Sequence, residues 1–145
     1  MDLLLICRDA LENSVITNLI MAIKAKKNGA DVGILFTQEA LMTIAGKAIF
    51  DWSPFLRERT TRVRVAYNAK KLDLQTHDWP TARYPVVNTK ELIKTARAMG
   101  VSLLACPVWV EFLELEEELP PEITQIDFDT ALKCIMEAKK VIGVF

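Results

Sequence analysis

Three thiols and one imidazole are the side chains here that could do covalent chemistry: Cys7, Cys106, Cys134 and His77. The cysteines are odd in number and show neither C-x-x-C nor zinc-finger spacing, so reduced thiols are expected and dithiol exchange of the thioredoxin kind is not. A single histidine allows no His pair for a metal, and beside Asp78 it reads as an exposed loop residue. Cys106 has the more reactive setting. It follows the apolar run Val101 to Ala105 and precedes Pro107, a residue suited to the first helical position because it has no N–H to lose. A cysteine at such a strand-to-helix junction lies among unpaired amides that favour a thiolate, the nucleophilic form. The bland alternative is a small apolar residue closing a strand end. Cys7 ends the run Leu3 to Cys7 and is read either as a second, resolving thiol or as core. Cys134, between Ala131 and Ala138 on one helix side, is read as core.

The elements that must hold these thiols follow from periodicity. Leu3 to Cys7, Val32 to Phe36 and Val101 to Ala105 are short continuous apolar runs, as in strands covered on both faces. Asp9-Ala10-Leu11-Glu12 has the capping-box spacing, and Val15, Ile16, Leu19, Ile20 and Ile23 form a helical stripe that Asn28-Gly29 stops. Thr37 is placed to cap a short helix ending at Gly46, and Asn88 with Glu91 opens another that ends at Gly100. Val108, Phe112, Leu115 and Leu119 extend a helix from Cys106. Ile123 to Ile126, a helix over Thr130 to Lys140, and an edge strand Val141 to Phe145 close the chain. Alternating strands and helices predict an α/β fold on a parallel sheet. Residues 50–87 break the rhythm and read as an irregular insertion in a single domain over 1–145, with a short strand at Arg62-Val63-Arg64-Val65. Trp52 and Trp79 could wall a crevice or cover the core.

In a parallel sheet the ligand crevice lies beyond the carboxyl ends of the strands, where strand order reverses. Right-handed crossovers put the second strand on one side of the first, so the strand of Cys106 is expected on the other side, where Cys7 and Cys106 end neighbouring strands and can share one crevice.

A chain of 145 residues buries roughly 70% of its unfolded surface in one core. Hydrophobic residues make up 51% and charged residues 26%, which separates it from disordered and disulfide-rich classes. No apolar run spans a membrane and the N-terminus lacks the pattern of a signal peptide, so a cytoplasmic, membrane-free protein is expected. A formal charge of −1 offers no general attraction for nucleic acid. Charge is unevenly spread, however. Residues 47–71 hold seven bases against two acids, and residues 108–129 hold eight acids and no base. Such patches suit head-to-tail self-association, or are simply two solvated faces. No Gly-rich phosphate loop is present, so no nucleotide cofactor is expected. Leu103-Leu104-Ala105 supplies neither the threonine nor the arginine that assists a peroxidatic cysteine.

The segment VVNTKELIKTARAMGVSLLACPVWVEFLEL resembles the helix, strand, cysteine and helix of the DsrE/DsrF-like (DsrEFH-like) proteins, particularly those labelled peroxiredoxin-like. ILFTQEALMTIAGK is similar to the family's second strand and helix start, and EAKKVIGVF to its last helix and edge strand. The resemblance implies a three-layer α/β/α fold with a mainly parallel five-stranded sheet. It also implies homo-oligomers, often trimers or hexamers, and a cysteine that carries sulfane sulfur as a persulfide for relay to a protein partner. Cys106 matches that cysteine. The expected function is thus a sulfur carrier or sulfurtransferase acting through Cys106, with Cys7 as a second thiol, and neither metal nor cofactor. Two alternatives stand beside it: a non-catalytic anion-binding or assembly subunit, and a thiol redox sensor that needs Cys7 and Cys106 within disulfide reach.

Overall fold

The computed structural model describes residues 1–72, 76–78 and 85–143, with backbone alone at 76–78, 85 and 86. Chain order is β1 (Leu3–Cys7), α1 (Glu12–Lys27), β2 (Val32–Phe36), α2 (Glu39–Ile44), α3 (Arg59–Lys71), β3 (Thr76–Asp78), β4 (Pro85–Val87), α4 (Thr89–Ala98), β5 (Ser102–Ala105), α5 (Pro107–Phe112), β6 (Thr124–Gln125), α6 (Phe128–Glu137) and β7 (Lys140–Ile142). Five strands pair in parallel in the order β6-β5-β2-β1-β7. β3 and β4 form a separate antiparallel pair.

Alternation along the strands sorts side chains into two cores. Leu5, Cys7, Ile34, Phe36, Leu103 and Ala105 face α1 and α4, with Val15, Leu19, Ala22, Leu92, Ile93 and Ala96 packed over them. Leu4, Leu35 and Leu104 face the other way, where Cys134 and Ala138 cover them from α6 and its end. The result is a three-layer α/β/α fold whose second helical layer is thin. Gly100, at φ +83°, ends α4 in a conformation that side chains with a Cβ rarely adopt, and turns the chain into β5.

The strand order corrects one expectation. β5 does not take the free side of β1; β2 lies between them, and β7 takes that side. Packing gives the reason. α1 and α4 touch on one face of the sheet, and right-handed crossovers sharing a face must step in the same direction, so β1, β2 and β5 run in sequence. The direction reverses only on the way to β7.

Local departures have local causes. Arg62 to Val65 lie inside α3 rather than in a strand: the two-residue alternation overlies a helical stripe of Arg62, Val65, Ala66 and Ala69, of which Ala66 and Ala69 are buried. His77 belongs to β3, not to a loop. Trp79 lies outside the described residues. Asp9 does not cap α1. Its Oδ1 accepts from the amide of Leu11 at 2.9 Å in a local turn, and the helix begins after Leu11. Nor does Thr37 cap α2, whose first flanking residue is Gln38 at φ 51°. Asn88 does cap α4, accepting from the Glu91 amide at 3.1 Å. Among the described residues no helix is long and apolar enough to cross a membrane.

Candidate functional site

Cys106 is the residue between β5 and α5. Its amide donates to the Phe36 carbonyl at 2.9 Å, which extends the β2–β5 ladder by one step, and its carbonyl accepts from the Val110 amide at 3.0 Å as the helix begins. Both bonds pin the backbone on either side of the thiol. Pro107 occupies the start of α5, so the Val108 and Trp109 amides are the first-turn donors without intrahelical acceptors. The side chain is half-buried and packs against both apolar clusters, so it bridges the two faces at the end of the sheet. Trp109 packs on the larger cluster and stacks edge-on against Phe112 at 5.9 Å.

Cys7 is different. It is 2% exposed, and burial, with the Asp9 carboxylate adding to it, pushes its thiol up to about 12. A thiol so raised stays protonated near neutrality and is a poor nucleophile. Cys7 pairs with Phe36 and Phe36 with Ala105 in the ladder, so the chain positions bearing Cys7 and Cys106 are two strand spacings apart, about 9.5 Å. A disulfide needs Cα atoms closer than about 7 Å, so the two thiols do not meet without backbone movement. Cys134 lines the inner side of α6 against Leu4, Leu35 and Leu104, the cluster that Cys106 also touches.

The reversal of strand order falls between β1 and β7, not at Cys106. A crevice of about 90 Å³ lies there, lined by Cys7, Arg8, Asp9, Ser14, Asn18 and Gly143 among others. The Asn18 Nδ2 donates to the Ser14 carbonyl at 2.9 Å, which fixes the amide, while its buried Oδ1 finds no donor among the described residues.

A polar cluster that periodicity does not reveal sits at the same end of the sheet. Glu12, in the first turn of α1, accepts from Trp52 Nε1 at 2.6 Å and from Thr89 Oγ1 at 2.8 Å, with Arg62 Nη2 at 3.8 Å. The Arg62 guanidinium lies 5.4 Å over the Trp52 ring. One carboxylate therefore ties α1, the 51–53 segment, α3 and α4 together. Trp52 is buried, so it covers core rather than walling a crevice. The sequence marks Glu12 only as a helix-opening acid. Its real partners are 40 and 77 positions away, beyond any local signal.

Among the described residues no group of three or more His, Cys, Asp or Glu side chains is arranged to hold a metal ion. The two charged segments do touch, through Lys47 Nζ and Glu118 Oε1 at 2.8 Å. No curated protein matches the chain. A family model does match, over residues 2–142, nearly the whole length, and it includes every element from β1 to β7 and the junction at Cys106. The chain therefore belongs to the DsrE/DsrF/DrsH-like family.

Proposed function

We propose that the protein carries sulfane sulfur as a persulfide on Cys106, as one station of a sulfur relay. Family membership supports a sulfur-relay role in general. The observation that carries the finer reading is the half-buried thiol at the β5–α5 junction, held by backbone bonds on both sides. The chemistry balances without an oxidant. The Cys106 thiolate attacks the terminal sulfur of a donor persulfide R–S–SH, the donor's S–S bond breaks, and its electron pair leaves on R–S⁻, which takes the proton of the transferred sulfur. Cys106–S–S⁻ and R–SH result. The terminal sulfur is anionic at neutral pH, and the first-turn amides of Val108 and Trp109, which have no intrahelical acceptors, are donors of the kind that stabilise such an anion.

Cys7 has no direct part in this transfer, because its thiol stays protonated and stands two strands away. The redox-sensor alternative loses its main support for the same reason. Self-association belongs to the proposal too. Phe128, Leu132 and Met136 repeat along the outer side of α6 with 59%, 44% and 76% exposure, a stripe that a second copy can cover.

The test is transfer. Protein loaded with inorganic polysulfide, desalted and treated with excess dithiothreitol should release about one equivalent of sulfide per chain. Cys106→Ser should release none, and Cys7→Ala should match wild type. Equal release from Cys106→Ser would refute the assignment.

A further inference from the structure

A cavity of about 470 Å³ opens on the α2–α4 side of the molecule, and Cys106 is not among the residues that line it. The end of α2 and the following loop make one wall through Ile44, Ala45, Ile49 and Phe50; α4 makes the second through Ile93, with Lys90 and Lys94 at the rim. Pro120, Glu118 and Glu122 close the third side. The volume lies within the range of small-molecule sites, and the floor is mostly aliphatic and aromatic carbon. Ile93 is 6% exposed, whereas Ile49 is 92% exposed, so a large apolar side chain stands in water at the mouth of an apolar hollow. A ligand lying in the hollow would take the Ile49 side chain out of water, at about 25 cal/mol per Å² of apolar surface.

The rim decides which charge the ligand carries. Glu118 is paired with Lys47 at 2.8 Å, and Lys94 with Glu91 at 3.0 Å. Glu122, half-buried, sits within electrostatic reach of Lys94. Glu122 and Lys90 both lack an ion-pair partner within 4.0 Å among the described residues, but Glu122 acts on Lys94, whereas Lys90 is exposed in the first turn of α4. Its ammonium and the positive end of the ten-residue helix act with the same sign on whatever lies at the mouth.

We propose that this cavity binds a small amphipathic anion, a carboxylate with an apolar body of roughly 6–10 carbons. The body lies on Ile44, Phe50 and Ile93, and the carboxylate pairs with Lys90 at the rim. None of these residues belongs to the Cys106 site, so binding is separable from sulfur loading.

Isothermal titration with sodium octanoate tests the proposal, with octylammonium chloride as the probe of opposite charge. Octanoate should bind at one site per chain, and octylammonium at least tenfold more weakly. Lys90→Glu should weaken octanoate at least fivefold, and Ile93→Trp, which fills the floor, should abolish saturable binding. Lys90 is exposed, so its variant keeps the fold; the circular dichroism spectrum checks both variants, and Ile44→Trp replaces Ile93→Trp should the latter unfold. Absence of saturable octanoate binding to wild type overturns the proposal. So does equal or tighter binding of octylammonium, or octanoate affinity unmoved by Lys90→Glu. Failure of Cys106 loading in the transfer assay would leave each of these outcomes as it stands.

Discussion

Glu12 and Trp52, forty positions apart, are joined by a 2.6 Å hydrogen bond from the indole N–H to the carboxylate. The same carboxylate takes the hydroxyl of Thr89 and faces Arg62, so one side chain fastens the start of α1 to the segment before α3 and to α4. Hydrogen bonds to a charged group contribute about 1.5–3 kcal/mol each, and cutting one partner leaves the others unpaired. Glu12→Ala should therefore lower unfolding stability by about 2–4 kcal/mol. Urea titration followed by tryptophan fluorescence measures it; a change below about 0.5 kcal/mol would mean the cluster is solvated rather than structural.

Cys7 makes stability fall in base. Its thiol is raised from 9.0 to about 12 in the folded chain, so its contribution is fully present below pH 9 and is lost as pH rises toward 12, where the unfolded chain ionises and the folded one does not. The slope should be about 1.4 kcal/mol per pH unit across that window. Cys7→Ala should lose this slope while wild type keeps it, as read from urea unfolding between pH 8 and pH 11. Parallel slopes would place Cys7 in contact with water.

Asp2 acts in acid. Its carboxylate is held below the usual aspartate range by the hydrogen bond from Lys139, at 2.7 Å, and by the Asp31 amide, at 2.8 Å. A lowered folded value means stability present above the unfolded value and lost as pH falls through the folded one. Wild type should thus exceed Asp2→Asn in thermal midpoint at pH 6, and the two should converge below pH 3. A constant gap over that range would point to a packing effect.

The α6 stripe carries the oligomer proposal. Light scattering should give wild type a mass above one chain, and Leu132→Glu, which puts a charge on an exposed apolar position, should shift it to the monomer. A monomeric wild type at all salt concentrations would remove the proposal.

Sequence patterns revealed the scaffold well where periodicity and chain stops coincide. The strands at Leu3 to Cys7, Val32 to Phe36 and Val101 to Ala105 are found within a residue or so, and Asn88 caps α4 as its spacing with Glu91 indicates. Arg62 to Val65 misled because four residues of alternation cannot be told from one turn of a helix whose inner face is alanine. Strand order was hidden for another reason: the handedness rule fixes the sense of each crossover but not the side to which the next strand goes. It is decided by α1 packing on α4, a contact between residues some seventy positions apart. The position of Cys106 between β5 and α5 was legible, because its neighbours in sequence build that junction. The links among Glu12, Trp52 and Thr89 were not, because each joins distant segments.

Peptide mass mapping of intact chain treated with polysulfide tests the central claim most directly. The account predicts a gain of one sulfur atom on the peptide containing Cys106, with the Cys7 and Cys134 peptides unchanged. Added sulfur on Cys7 or Cys134 with Cys106 unmodified, or no added sulfur at all, would contradict it.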